Sequence, residues 1–232
     1  MTGTMVWAAF MAGKMQRRVT KGKAISARPL PRRQGGIRTG LAKPPDGRAM
    51  TTLRLHITGA ACSGVTTLGE TLAAVLGAAH VDSDDFYWMP TDPPFSTKRA
   101  PQDRVRLMAD ALGEEGWVLS GSLMGWGDSL VEGADLIVFV DTPTALRMER
   151  LRRRERERFG ERILPGGDMH AIHTDFVAWA ERYDDPNFAG RSRARHEAWL
   201  GRQSAPLLRL DGREEPRSLA ERVLAAASPR ER

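Results

Sequence analysis

The chain has 232 residues, enough for one α/β domain with a full core and too few for two large ones. Its formal charge of +6 is unevenly spread: residues 1–49 carry 11 of the 35 basic side chains against one acid, Asp46, which leaves 24 basic and 28 acidic side chains in 50–232. The body is mildly acidic, so nucleic acid is not an expected partner. No apolar run reaches about 18 residues, so no membrane span is expected, and the single cysteine, Cys62, excludes an internal disulfide and fits a reducing, cytoplasmic setting.

Residues 1–49 mix Pro, Gly and Arg (RPLPRRQGGIRTGLAKPPDGR) with little apolar periodicity, the composition of a disordered basic leader. Charges follow the short apolar start instead of preceding it, and no apolar stretch follows Arg17-Arg18, so neither export signal is matched. Two readings stay open for the leader: an organelle transit peptide, or an over-extended start in which Met50 is the natural first residue. The folded domain is expected over 50–232.

From Leu53 short apolar runs alternate with amphipathic stretches. LRLHITG reads as a buried strand, and Thr66–Leu76 as a helix with Leu68, Leu72 and Val75 or Leu76 as its apolar positions. AHVDSDDFYW reads as a short strand entering an acidic loop, and TDPPFSTKRAP as a Pro-bounded loop. A helix over Arg104–Leu112 precedes a third strand, Trp117–Ser122, and ADLIVFVD is the clearest buried strand of all. A strongly charged helix, Thr144–Arg158, ends near Gly160; PLLRLDG is a last strand and Ser218–Ala227 a closing helix. This alternation predicts a three-layer α/β fold, a parallel sheet with helices on both faces, whose ligands sit at the carboxyl ends of the strands.

Between the first strand and helix lies Gly59-Ala60-Ala61-Cys62-Ser63-Gly64-Val65-Thr66-Thr67. Glycines let backbone wrap a phosphate, and N–H groups at the helix start supply partial positive charge. Thr66 stands where a hydroxyl ligand of Mg²⁺ is expected. The G-x-x-x-x-G-K-[ST] pattern wants lysine at Val65, so a cation near the β- and γ-phosphates is missing. The bland alternative is a small-residue turn joining strand to helix.

The run HITGAACSGVTTLGETLA resembles the first strand, loop and helix of the adenylate-kinase-like branch of P-loop proteins, which includes nucleoside monophosphate, shikimate and uridine kinases. It also resembles lysine-less bacterial members of that branch described as AAA-family ATPase or adenylate kinase. The likeness extends over about residues 52–225 and implies ATP and Mg²⁺ as cofactors, a nucleotide and a small-molecule acceptor as partners, and a helical lid at about 150–196.

Asp82, Asp84 and Asp85 follow the second strand, where carboxylates can take a proton from an acceptor or hold Mg²⁺ through water. The resemblance supports this, since shikimate kinase has an acidic pair there, and Asp84 and Asp85 are preferred over Asp82. Capping of a loop is the plain alternative. Lys98 is the one lysine after residue 43 and so the one lysine able to stand in for the missing one. Ser120 and Ser122 occupy the end of the third strand, where the resemblance leads one to expect an acid; Asp128 and Asp141 are weak alternatives. Trp126 reads as packing before base stacking. The Arg/Glu run from Arg147 falls where the resemblance places a lid, making Arg154, Arg158 and Arg162 candidates to cover the phosphates. Arg191, Arg193 and Arg195 form a second cluster. His170, His173 and Asp168 read as a polar loop before a metal site. The reading is an ATP-binding small-molecule or nucleotide kinase; the alternative is a non-catalytic nucleotide-binding sensor derived from one.

Overall fold

The computed structural model describes residues 52–227, so the expectations for the 1–49 leader lie outside the described residues. Five strands form one parallel sheet in the order β2-β3-β1-β4-β5, where β1 is Arg54–Gly59, β2 Ala79–Asp82, β3 Trp117–Ser120, β4 Leu136–Asp141 and β5 Leu207–Asp211. The two inner strands that flank β1 explain its composition: Leu55 and Ile57 face one layer of helices while His56 and Thr58 face the other, and all four are fully buried. The apolar run of β4 has the same cause, with Val138 and Val140 on one side and Ile137 and Phe139 on the other.

On one face lie α1 (Val65–Leu76) and α7 (Pro216–Ala227), closing a core of Leu55, Ile57, Leu68, Leu72, Val138, Leu210 and Val223. On the other lie α3 (Pro101–Leu112) and α6 (Arg193–Leu200), around Met108, Leu119, Phe139 and Trp199. This is the expected three-layer architecture. A fully buried core side chain contributes roughly 1.5–3 kcal/mol over an exposed one, which is what holds helices with few good caps against the sheet. Among the described residues, no helix is long and apolar enough to cross a membrane.

Element ends follow local chemistry. α1 begins at Val65, one residue earlier than periodicity suggests, because Gly64 takes the left-handed conformation (φ 104°) that turns the chain into the helix. α3 begins at Pro101, whose missing N–H has no intrahelical partner to lose at a first helical position. The acidic loop after β2 is helical: α2, Ser83–Tyr87, is capped by Asp82, whose side chain accepts from the Asp84 N–H. Between β4 and β5 run α4 (Thr144–Phe159), a 3₁₀ turn at Gly160–Ile163, α5 (His170–Glu181) and a second such turn at Arg182–Asp184 leading to α6.

Candidate functional site

The loop between β1 and α1 leaves the carboxyl end of the central strand, and close packing fixes its shape. A Cβ on Gly59 would lie 2.4 Å from Ser63 Oγ and 2.6 Å from the Val140 carbonyl, so a bare α-carbon is required. Cys62 holds φ 62°, a strained value for a non-glycine residue, as loops that bind ligands often do. The Ser63 carbonyl accepts from Thr142 Oγ1 at 3.0 Å, and Ala61 and Cys62 pack against a buried cluster of Met148 and Leu151 of α4 and Ala180 of α5. Both the outer wall of the loop and its tip are therefore braced by the segment after β4.

At the start of α1, Thr66 Oγ1 donates to Asp82 Oδ2 at 2.8 Å, while the other carboxylate oxygen of Asp82 caps α2 at 3.0 Å. A hydroxyl beside a carboxylate, at a helix N-terminus, is an all-oxygen donor set that fits Mg²⁺. Of the three acids after β2, Asp82 is the one that accepts from Thr66. Parallel pairing of β2 with β3 sets Asp82 level with Ser120, a contact that spacing along the chain does not reveal.

Asp84 is exposed to solvent in the first turn of α2, with other charged groups close about it. Desolvation, then the charge of Asp82, pushes its carboxyl up to about 6, against the opposing pull of Arg191 and Arg154. Asp85 is raised as well, first by desolvation and then by Asp82, with His80 and Arg158 acting the other way. Two carboxylates beside a third in one cleft are expected to titrate high. Arg154 and Arg191 each carry a buried Nε without a hydrogen-bond partner among the described residues, and the Arg191 guanidinium lies 4.9 Å above the Trp179 ring. Orphaned buried donors of this kind suit the oxygens of an anionic ligand.

No protein-family model matches the sequence. The uncharacterized protein YqaC of Bacillus subtilis (strain 168) is 41% identical over 158 residues, which span 68% of this chain and 87% of YqaC. The chain belongs to the YqaC family. Solved structures with similar backbones include shikimate kinase from Bacteroides thetaiotaomicron, 16% identical, TM-score 0.48, covering 75% of this chain and 97% of that one. A sugar kinase from Janibacter sp. HTCC2649 is 20% identical, TM-score 0.43, covering 77% and 99%. A gluconokinase from Sinorhizobium meliloti 1021 is 15% identical, TM-score 0.44, covering 78% and 93%.

Of the three arginines picked from the charged run, the structure brings Arg154 to the loop and to Asp84. Arg158 lies over the Phe95 and Phe159 rings, each at 5.2 Å, on the Asp85 side. Arg162 is held elsewhere: it binds Asp168 at 2.6 and 2.9 Å and Asp92 at 2.5 Å on the exposed surface. Lys98 sits over the Tyr87 and Trp88 rings at 5.6 and 5.8 Å. Both weak stand-ins for the acid of the third strand are engaged by other side chains: Asp128 accepts from Trp199 Nε1 at 2.8 Å and Asp141 grips Arg193 at 2.8 and 3.0 Å. Ser120 instead shares a hydrogen bond with His80 at 2.9 Å. Trp126 packs against the core and donates to the Ser122 carbonyl at 3.2 Å. Asp168 is taken by Arg162, and the described residues hold no cluster of three or more metal-ligating side chains. Arg147 and Arg150, which the sequence reading did not single out, reach the back of the loop; the i, i+3, i+7 spacing of Arg147, Arg150 and Arg154 was the available signal.

Proposed function

We propose that this chain binds ATP with Mg²⁺ on the Gly59–Thr67 loop and transfers the γ-phosphate to a hydroxyl of a small metabolite or nucleotide. The observation that supports it best is the Thr66–Asp82 hydrogen bond at the start of the helix that follows the glycine loop, with Asp84, which titrates high, and two arginines with orphaned donors acting on that carboxyl. In this reading the loop N–H groups and the N-terminus of α1 hold the phosphates. Thr66 and Asp82 would hold the magnesium ion, which when bound would neutralise charge between phosphate groups. Asp84 accepts the proton of the acceptor hydroxyl as its oxygen attacks phosphorus, a task suited to a base titrating near the working pH. Arg154 and Arg191 stabilise charge on the group in transfer, and the segment from the middle of α4 to the start of α6, about 150–196, serves as the lid.

The test is ATP consumption, with and without Mg²⁺, across a panel of metabolite hydroxyls and nucleotides. Asp84→Asn should lower turnover with the accepted substrate on the order of 10²-fold or more while ATP affinity changes little. Val65 favours a second reading, a nucleotide-binding sensor without chemistry. Tight ATP binding with no turnover across the panel would favour that reading.

A further inference from the structure

Val65 leaves the loop without a cation of its own, and its side chain packs toward the core of the α1 and α7 layer. Behind the loop the situation is the opposite. Arg147 stands in the first turn of α4, where a cation opposes the helix dipole, and its side chain is wholly buried. Both placements cost free energy that an aliphatic residue would not incur. Its partners indicate the reason. Nε donates to the Thr142 carbonyl at 3.2 Å, Nη2 to Thr144 Oγ1 at 2.7 Å, and Nη1 to the Ala61 and Ala180 carbonyls, each at 3.4 Å. Asp184 stands 3.7 Å away. One turn on, Arg150 donates to the Ser63 carbonyl at 3.5 Å and to the Gly212 carbonyl at 2.9 Å.

The Ala61 and Ser63 carbonyls belong to the peptide units whose N–H groups are those of Cys62 and Gly64. In a planar trans peptide the two ends point in opposite directions, so an oxygen turned out toward α4 leaves its N–H turned into the loop. A guanidinium on that oxygen draws electron density through the unit and makes the N–H a stronger donor. We propose that Arg147 and Arg150 supply from behind the loop the positive potential that a lysine at Val65 would supply from within, by polarising the Ala61–Cys62 and Ser63–Gly64 peptides toward a bound polyphosphate. The inference rests on the reading of this loop as a phosphate site. Both arginines are positioning residues, since they act through the peptides and do not touch the phosphate. Their field reaches the loop: burial pushes the Cys62 thiol up, Arg154 acts against that rise, Glu155 adds to it, and Arg147 and Arg150 oppose it in turn.

Cys62, the single cysteine, makes the idea measurable. Arg147 sits at a junction of several segments, so its removal risks the fold; half-buried Arg150 carries the test. Calorimetry on the full chain with Mg²⁺ and either ATP or inorganic tripolyphosphate, which has the charge and no base, compares the unmodified protein with Arg150→Gln, Arg150→Lys and Arg150→Gln/Val65→Lys. We expect Arg150→Gln, with its melting transition retained, to weaken tripolyphosphate on the order of tenfold, the scale of one charge-assisted hydrogen bond. Arg150→Lys should lose less, and Val65→Lys in the double variant should recover most of the loss. The pH dependence of Cys62 alkylation should shift upward in Arg150→Gln, which reports that the charge of Arg150 reaches the loop, while rescue by Val65→Lys separates that charge from a purely structural role. Unchanged tripolyphosphate affinity in folded Arg150→Gln overturns the inference, as does a loss that Val65→Lys fails to rescue. An unmodified protein that binds neither ATP nor tripolyphosphate overturns the phosphate reading itself, whatever the variants do.

Discussion

Asp84 is surrounded as a working base would be, and its titration can be followed separately in stability and in rate. A carboxyl held near 6 in the folded chain, above its ordinary value of 3.8, is one whose charged form the fold disfavours. The sign follows: the group costs nothing below about 3.8, and its penalty grows as pH rises and is complete above about 6. Its solvent access screens that penalty, which we set at no more than about 1–2 kcal/mol. Asp84→Asn should therefore melt slightly higher than the unmodified protein at pH 8 and no higher at pH 4, while its turnover is lost. In the unmodified protein turnover should rise with pH through about 6, as the base ionises. Scanning calorimetry at the two pH values and a pH–rate profile check both halves. At the same scale, a Cβ on Gly212 would lie 1.8 Å from Thr142 Oγ1 and 2.9 Å from the Ser63 carbonyl. Gly212→Ala should cost about 1–3 kcal/mol by overpacking and weaken ATP binding, because the strain falls on the loop wall; urea melts and ATP titration test it.

Among the elements, α4 and β1 carry the most chemistry. One stripe of α4 braces the loop with Arg147 and Arg150 and acts on Asp84 through the charge of Arg154, so a helix that reads as a solvated charged surface is engaged with the rest of the fold on one side. β1 carries a different anomaly. His56 is fully buried, with neither ring nitrogen at hydrogen-bonding geometry, and meets Trp199 edge-on at 5.8 Å. Desolvation lowers it to about 4, with the nearby Leu119 backbone opposing slightly. His196, which bonds Thr58 Oγ1 at 3.0 Å and the Tyr183 hydroxyl at 3.1 Å, is lowered to about 3, again chiefly by desolvation. For a histidine kept neutral by the fold, stability is full above the unfolded value of 6.5 and is lost as pH falls toward the folded value. His56 alone contributes about 3 kcal/mol of acid lability between those limits. His56→Phe, which keeps an aromatic edge against Trp199 and removes the titration, should flatten the fall in melting temperature between pH 6.5 and pH 4. An unchanged acid limb would show that the lability lies with other groups.

Over the whole molecule, strand order determines what meets. With β1 between β3 and β4, the Gly59–Thr67 loop lies beside the ends of both neighbours, so Thr142 and α4 approach from one side and Asp82 and Ser120 from the other. Residues 1–49 stand apart by composition, with 11 basic side chains against one acid and little apolar periodicity. Removing them should leave the melting temperature and ATP affinity of the remainder nearly unchanged; a drop of many degrees on truncation would contradict that.

By itself the sequence determined the alternation of strands and helices, the loop at Gly59–Thr67 and the absence of its lysine. These are local signals: apolar period, glycine spacing, and the identity of one side chain. The tertiary structure decided which charges share the cleft. Asp82 was ranked below Asp84 and Asp85 because nothing nearby in the chain shows that Thr66, 16 residues earlier, donates to it. Arg162 looked equivalent to Arg154 because periodicity assigns no direction to a charge beyond the helix end. Gly160 ends α4, and the turn that follows carries Arg162 to Asp92, 70 residues away. Arg147 and Arg150 were hidden in a salt-bridge pattern until their contacts with carbonyls 86 and 87 residues upstream were visible. Charge acts over a few ångströms in space whatever the separation along the chain, and in a parallel sheet those distances are set by strand order and register.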